Sequence, residues 1–151
     1  MFEQLFGLPA HPLIIHAAVV LAPLAALLCA AYALVTAWRP RLGWAVVALS
    51  IAAPASVFAA RQSGLALKDH LFPDGVPGPM AATIGDHEGF ATPLLWTTTG
   101  LGLAGLLMVL AGPRLGKVPA AALSGVTVLL SLAAGFYVIR AGHTGAIAVW
   151  G

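Results

Sequence analysis

Polar residues are so sparse along this chain that its pattern is one of long apolar runs with short interruptions. Four runs stand out, at about 13–37, 43–60, 90–111 and 118–139. A helix needs roughly 20 apolar residues to cross a bilayer, and each run is near that length. The runs therefore predict four transmembrane helices in a single integral membrane domain covering 1–151. Two of the breaks, WRPRLGW at 38–44 and GPRLGKVP at 112–119, are short, basic and rich in Pro and Gly, so they read as tight hairpin turns. The third break, 61–89, is long and polar, with Pro73, Pro77 and Pro79 and several glycines, and reads as an extended loop. Long ordered loops in small proteins are more often functional than idle. Ahead of the first run, Phe2, Leu5 and Phe6 have the spacing of a short interfacial turn. Glu3 is the only charge there, so the leader lacks the basic start of a cleaved signal peptide.

Composition agrees with a membrane protein: 60% of the 151 residues are hydrophobic and only 8% are charged, against about 25% charged in soluble domains. The net charge of +2 is too small and too scattered to suggest a nucleic-acid partner. Where the charges fall matters more. Arg39, Arg41, Arg114 and Lys117 lie in the two short turns, whereas Glu3, Asp69, Asp74, Asp86 and Glu88 all lie toward the opposite ends of the runs. The positive-inside rule then places both turns in the cytoplasm, with the termini and the long loop outside. Trp38 and Trp44 mark one interface, and Trp96 and Trp150 lie toward the other. Small residues recur along the runs (Ala45, Ala48, Ala52, Ser56; Gly100, Gly105; Gly125, Ser131, Gly135), which favours close helix packing. Pro23 and Pro54 are expected to kink the first two helices. Cys29 is the only cysteine, which excludes an internal disulfide, a four-cysteine zinc site and a CxxCH covalent haem site, and its place inside an apolar run reads as a buried small side chain.

A weak repeat runs through the chain. PRLG occurs at 40–43 and 113–116, and ARQSG at 60–64 resembles IRAGHTG at 139–145. This predicts an all-α four-transmembrane-helix bundle made of two similar helical hairpins, pairing His16 with His87 and Arg61 with Arg140. Four of the five histidines lie where a run begins or ends, in HPLIIH at 11–16, GDHEG at 85–89 and RAGHTGA at 140–146. Five residues along a helix turn through 500°, so His11 and His16 point about 140° apart and cannot ligate one ion together. His16, the deeper of the two, is the better ligand candidate, and His11 reads as an interfacial cap or supporting partner. His87 is flanked by Asp86 and Glu88, and a neighbouring carboxylate can fix an imidazole tautomer. His143 follows Arg140 by three residues, and Arg61 and Arg140 would suit carboxylates at the same rim. His70, beside Lys68 and Asp69, reads as solvated.

The HPLIIH start, the four runs and the closing histidine–glycine segment resemble the small bacterial membrane proteins grouped as domain of unknown function 2231. His11, Pro12 and His16 match that family's opening HPxxxH, and Gly142, His143 and Gly145 match its closing motif loosely. The resemblance implies the four-helix fold and a location in the bacterial cytoplasmic membrane, and it implies no particular activity.

Three readings of the histidines follow. The first is b-type haem for electron transfer, with His16 and His87 as axial ligands, His143 as the substitute for either, and Arg61 and Arg140 toward the propionates. The second is a zinc or copper ion held by His16, His87 and His143 with Asp86 or Glu88. The third is a cofactor-free accessory or scaffold subunit whose histidines bond across the bundle. No nucleophile and base stand together, so an enzyme acting by itself is the weakest expectation. The expected surroundings are the lipid bilayer, with a redox partner or a second copy of the chain.

Overall fold

In a computed structural model the chain is described over residues 4–5 and 8–150. A two-residue antiparallel bridge, Gln4–Leu5 against Leu8–Pro9, precedes four helices: α1 (Ala10–Leu34), α2 (Arg39–Leu71), α3 (Gly78–Leu110) and α4 (Lys117–Trp150). Leu5 is thus extended rather than part of an interfacial helical turn, while Phe2 and Phe6 lie outside the described residues. All four helices are long and apolar enough to cross a membrane.

The helices pack in a ring, each against its chain neighbours, with α4 closing onto α1 and α1 touching α3 across the diagonal. Leu27, Ile51, Leu103, Leu129 and Ile139 point outward from the ring, as lipid-facing side chains must. Inside, the core is small: Ala18, Ala22, Val57, Ala60, Leu94, Val138 and Ala141 form one cluster. A second, with Ala26, Cys29, Tyr32, Val46, Leu101 and Met108, fills the other half. Cys29 is buried and free, as its apolar setting predicts.

Pro23 and Pro54 lie inside α1 and α2 as expected, and Pro93 inside α3 is a third interruption. Pro54 has no N–H to offer the Ser50 carbonyl. Gly102 of α3 packs directly on that freed oxygen, so closely that a methyl group there would collide with it. Close approach at a glycine lets a Cα–H group partly satisfy such a carbonyl.

The middle break differs most from expectation. No loop spans 61–89: α2 continues to Leu71, α3 starts at Gly78, and only six residues separate them. The prolines behave as stop and start signals. Pro73 follows the end of α2, Gly75 turns the chain at φ +96°, and Pro79 stands in the first turn of α3. Helices of 33 or 34 residues are about 50 Å long, well beyond the ~30 Å of a hydrocarbon core. Hydropathy marks where lipid ends, and here the helices run on past that point. The fourth run is extended likewise, so RAGHTGA at 140–146 lies within α4 rather than after it.

The expected hairpin turns are tight but differ from one another. The first is Val35–Trp38, and PRLG at 40–43 already belongs to α2. The second runs from Ala111 to Gly116 and contains the other PRLG. The two copies therefore occupy different places in the fold. Arg39 donates to the carbonyls of Tyr32 (3.0 Å) and Ala33 (3.2 Å), and Arg114 donates to Leu110 (2.9 Å). Arg39, at the start of α2, and Arg114, in the second turn, thus cap the C-termini of α1 and α3.

Buried positions recur between helices with a regular spacing. Ala18, Ala22, Ala25, Ala26, Cys29 and Tyr32 in α1 are buried, and so are Leu94, Thr98, Leu101, Gly102, Gly105 and Met108 in α3. Each of these stands as far beyond His87 as its counterpart stands beyond His11. All six buried positions of α4 (Thr127, Ser131, Ala134, Val138, Ala141 and Thr144) match Val46, Ser50, Ala53, Val57, Ala60 and Ser63 of α2 with one constant offset.

Candidate functional site

At one end of the bundle α1 and α3 begin while α2 and α4 finish, and all five histidines are in this half. His11 enters at the second residue of α1 and reaches α2. Its Nδ1 lies 2.9 Å from the carbonyl oxygen of Ala60 and 3.1 Å from Ser63 Oγ. A carbonyl can only accept, so Nδ1 carries the proton. The Ser63 hydroxyl spends its own proton on the Ala60 carbonyl (2.9 Å), which leaves its oxygen free to accept from His11.

His87 repeats the arrangement between α3 and α4. Its Nδ1 donates to the Ala141 carbonyl at 2.9 Å, with Thr144 Oγ1 at 3.5 Å. The Thr144 hydroxyl donates back to Arg140 O at 3.0 Å. In both rings Nδ1 is committed, so in the neutral imidazole Nε2 holds a free lone pair, the state that metal ligation requires. Both rings are half-buried. The carbonyls that hold them belong to Ala60 and Ala141, members of the same core cluster.

The other expected ligands are elsewhere. His16 is exposed on α1 and donates from Nδ1 to the carbonyl of Pro12 in its own helix. His143 is exposed on α4, and Asp86 is exposed on α3. Glu88 is paired with Lys68 at 2.6 Å, tying the start of α3 to the end of α2. His70 is exposed near the end of α2, as expected of a solvated residue. Among the described residues no three His, Cys, Asp or Glu side chains come together as a metal ion would need. The set of His16, His87 and His143 with Asp86 or Glu88 is therefore not assembled: two of the imidazoles face outward and one carboxylate is held by a lysine.

The arginines also differ from expectation. Arg61 reaches Thr92 Oγ1 and Gln62 Oε1, both at 3.4 Å. Arg140 lies over the ring of Phe90, 4.7 Å from its centroid. Neither pairs with Asp86 or Glu88 among the described residues, where the Lys68–Glu88 contact is the salt bridge formed. The partner of Arg61 by position in the buried pattern is Gly142, not Arg140.

His11 and His16 do point apart, but the inward ring is that of His11 rather than His16. A signal was present in the sequence: ARQSG at 60–64 aligns with AGHTG at 141–145, placing Ala60 with Ala141 and Ser63 with Thr144. Those are the residues that hold the two rings.

Residues 7–151 match the family described as predicted membrane protein, DUF2231, and the chain belongs to that family. No curated protein and no solved structure matches it.

Proposed function

We propose that this DUF2231 membrane protein is a b-type haem protein that transfers electrons, and that His11 and His87 would hold the haem. The observation that carries the reading is the shared tautomer: each imidazole donates Nδ1–H to a carbonyl of the next helix, at 2.9 Å in both cases, and keeps Nε2 for a ligand. Two imidazoles do not make a zinc site, which takes three or four protein ligands. Two are the number that a haem iron takes, because its porphyrin supplies the remaining four. Haem is therefore favoured over the zinc alternative on ligand count.

When bound, the haem would supply one-electron chemistry, and the protein supplies ligands, orientation and burial. Arg61, half-buried and without a carboxylate partner among the described residues, and Arg140 are the cations available to propionates. His16 and His143 have no part in ligation on this reading. A ligating imidazole must be neutral, so haem affinity falls on acidification.

The bundle is two similar hairpins, α1–α2 and α3–α4, related by an axis along the membrane normal. The recurring burial pattern supports this, as does the repeated histidine–carbonyl contact. The basic turns face the cytoplasm of a bacterium, and the histidine end faces outward, where a redox partner or a second copy would dock.

The test is the absorption spectrum of the protein purified in detergent, oxidised and then reduced, with haem quantified against protein. One haem per chain is expected, lost in His11→Ala and His87→Ala and kept in His16→Ala. Protein that stays colourless after expression with ample haem overturns the reading, and metal analysis of that sample then distinguishes a bound ion from a cofactor-free scaffold.

A further inference from the structure

We infer that Gly64 and Gly145 are positioning residues, each forming the floor on which one of the two imidazoles lies. A methyl group built on Gly64 would stand 3.0 Å from His11 Cε1 and 3.2 Å from its Nδ1. On Gly145 it would stand 3.1 Å from both Cε1 and Nδ1 of His87. Ordinary contact begins at about 3.5 Å for carbon. At Gly125, Gly135 and Gly142 of α4 the same methyl would meet nothing within 4 Å. On α2 and α4 the closeness is thus particular to the two glycines beneath the rings, Gly43 having nothing nearer than 3.9 Å.

The spacing supports one shared purpose. In Ala60-Arg-Gln-Ser63-Gly64 and in Ala141-Gly-His-Thr144-Gly145 the carbonyl acceptor, the hydroxyl and the glycine hold the same relative places. One helical turn separates the acceptor from the hydroxyl and glycine, so all three lie on the face that meets the ring. Because the ring is the mobile partner in each contact, a methyl group displaces the imidazole and leaves the helix in place. Displacement lengthens the Nδ1–carbonyl bond and frees the ring to exchange tautomers. The inference rests on the two-imidazole reading for its effect on ligation, but the ring geometry can be measured without any cofactor.

The experiment uses full-length protein in detergent, labelled with ¹⁵N at histidine and free of haem. Wild type should show Nδ1-protonated signals for His11 and His87. Gly64→Ala should alter the His11 signals alone, Gly145→Ala the His87 signals alone, and Gly142→Ala neither. Haem titrated into the same samples should bind the first two variants about tenfold or more weakly than wild type, the loss usual when a ligand's supporting contact is removed. If wild type takes up no haem but the ring signals change as stated, the haem reading fails and the positioning inference stands. If wild type binds haem, and Gly64→Ala and Gly145→Ala leave both ring signals and affinity unchanged, the inference is overturned while the haem reading survives. Should Gly64→Ala fold poorly, the double variant decides. In a His11→Ala background Gly64→Ala should no longer lower the unfolding temperature, and an undiminished loss there contradicts the inference.

Discussion

Gly102, set on the carbonyl that Pro54 leaves free, shows how little room single residues have in this bundle. One turn on, a methyl group on Gly105 would collide with Ser50 Oγ and crowd Cys29 Sγ and the Val46 side chain. Gly102→Ala should destabilise the protein by roughly 1–3 kcal/mol, the usual cost of overpacking. Gly125→Ala, on an exposed part of α4 with open space around it, should be neutral or stabilise by up to about 1 kcal/mol. Reversible unfolding in detergent distinguishes the two, and equal effects would show that the α2–α3 contact is looser than described. At this scale the sequence was legible for types more than for partners. The small residues, the buried Cys29 and the opposed directions of His11 and His16 followed from composition and helical angle. The inward choice of His11 did not, because depth along α1 favoured His16, whereas the carbonyls of Ala60 and Ala141 decide which rings are held. Both carbonyls belong to plain alanines, so only the match of ARQSG at 60–64 with AGHTG at 141–145 marks their place.

Between elements, the α2–α3 seam is tied by polar contacts at the histidine end: Arg61 to Thr92 and, further out, Lys68 to Glu88. Both side chains of the ion pair are partly exposed, so Lys68→Ala should cost less than about 1 kcal/mol, clearly below Gly102→Ala. The first turns of α3 pack on little, and Gly78–Ala82 are exposed throughout. Amide hydrogen exchange should therefore be faster across 78–86 than across the buried stretch from Leu94 to Met108, and matching protection would contradict the packing described. The four helices were legible as elements, because lipid demands long apolar runs. Their ends were not. Beyond the bilayer a helix can mix polar and apolar residues, so 61–71 and 78–89 looked like loop although their backbones are helical. The prolines that suggested a loop are gathered around the short link from Phe72 to Pro77, where they end one helix and start the next.

For the molecule as a whole, sidedness is the first consequence to check. A membrane-impermeant thiol reagent should label Asp74→Cys in intact cells and Gly112→Cys only after the membrane is opened, since the native Cys29 is buried and silent. The reverse pattern would place the histidine end in the cytoplasm. The ring of four helices and its basic turns followed from run lengths and charge. The repeat was legible as well, but in a different register: PRLG suggested one alignment, and the buried positions follow another that matches His11 with His87. The central feature is a pair of like-held imidazoles on α1 and α3, and its proposed role has a direct test in the coordination state of bound ferric haem. The account predicts a six-coordinate, low-spin spectrum for wild type and for His16→Ala. It predicts a five-coordinate, high-spin spectrum, or loss of haem, for His11→Ala and for His87→Ala. A low-spin spectrum that survives both of those substitutions would contradict it.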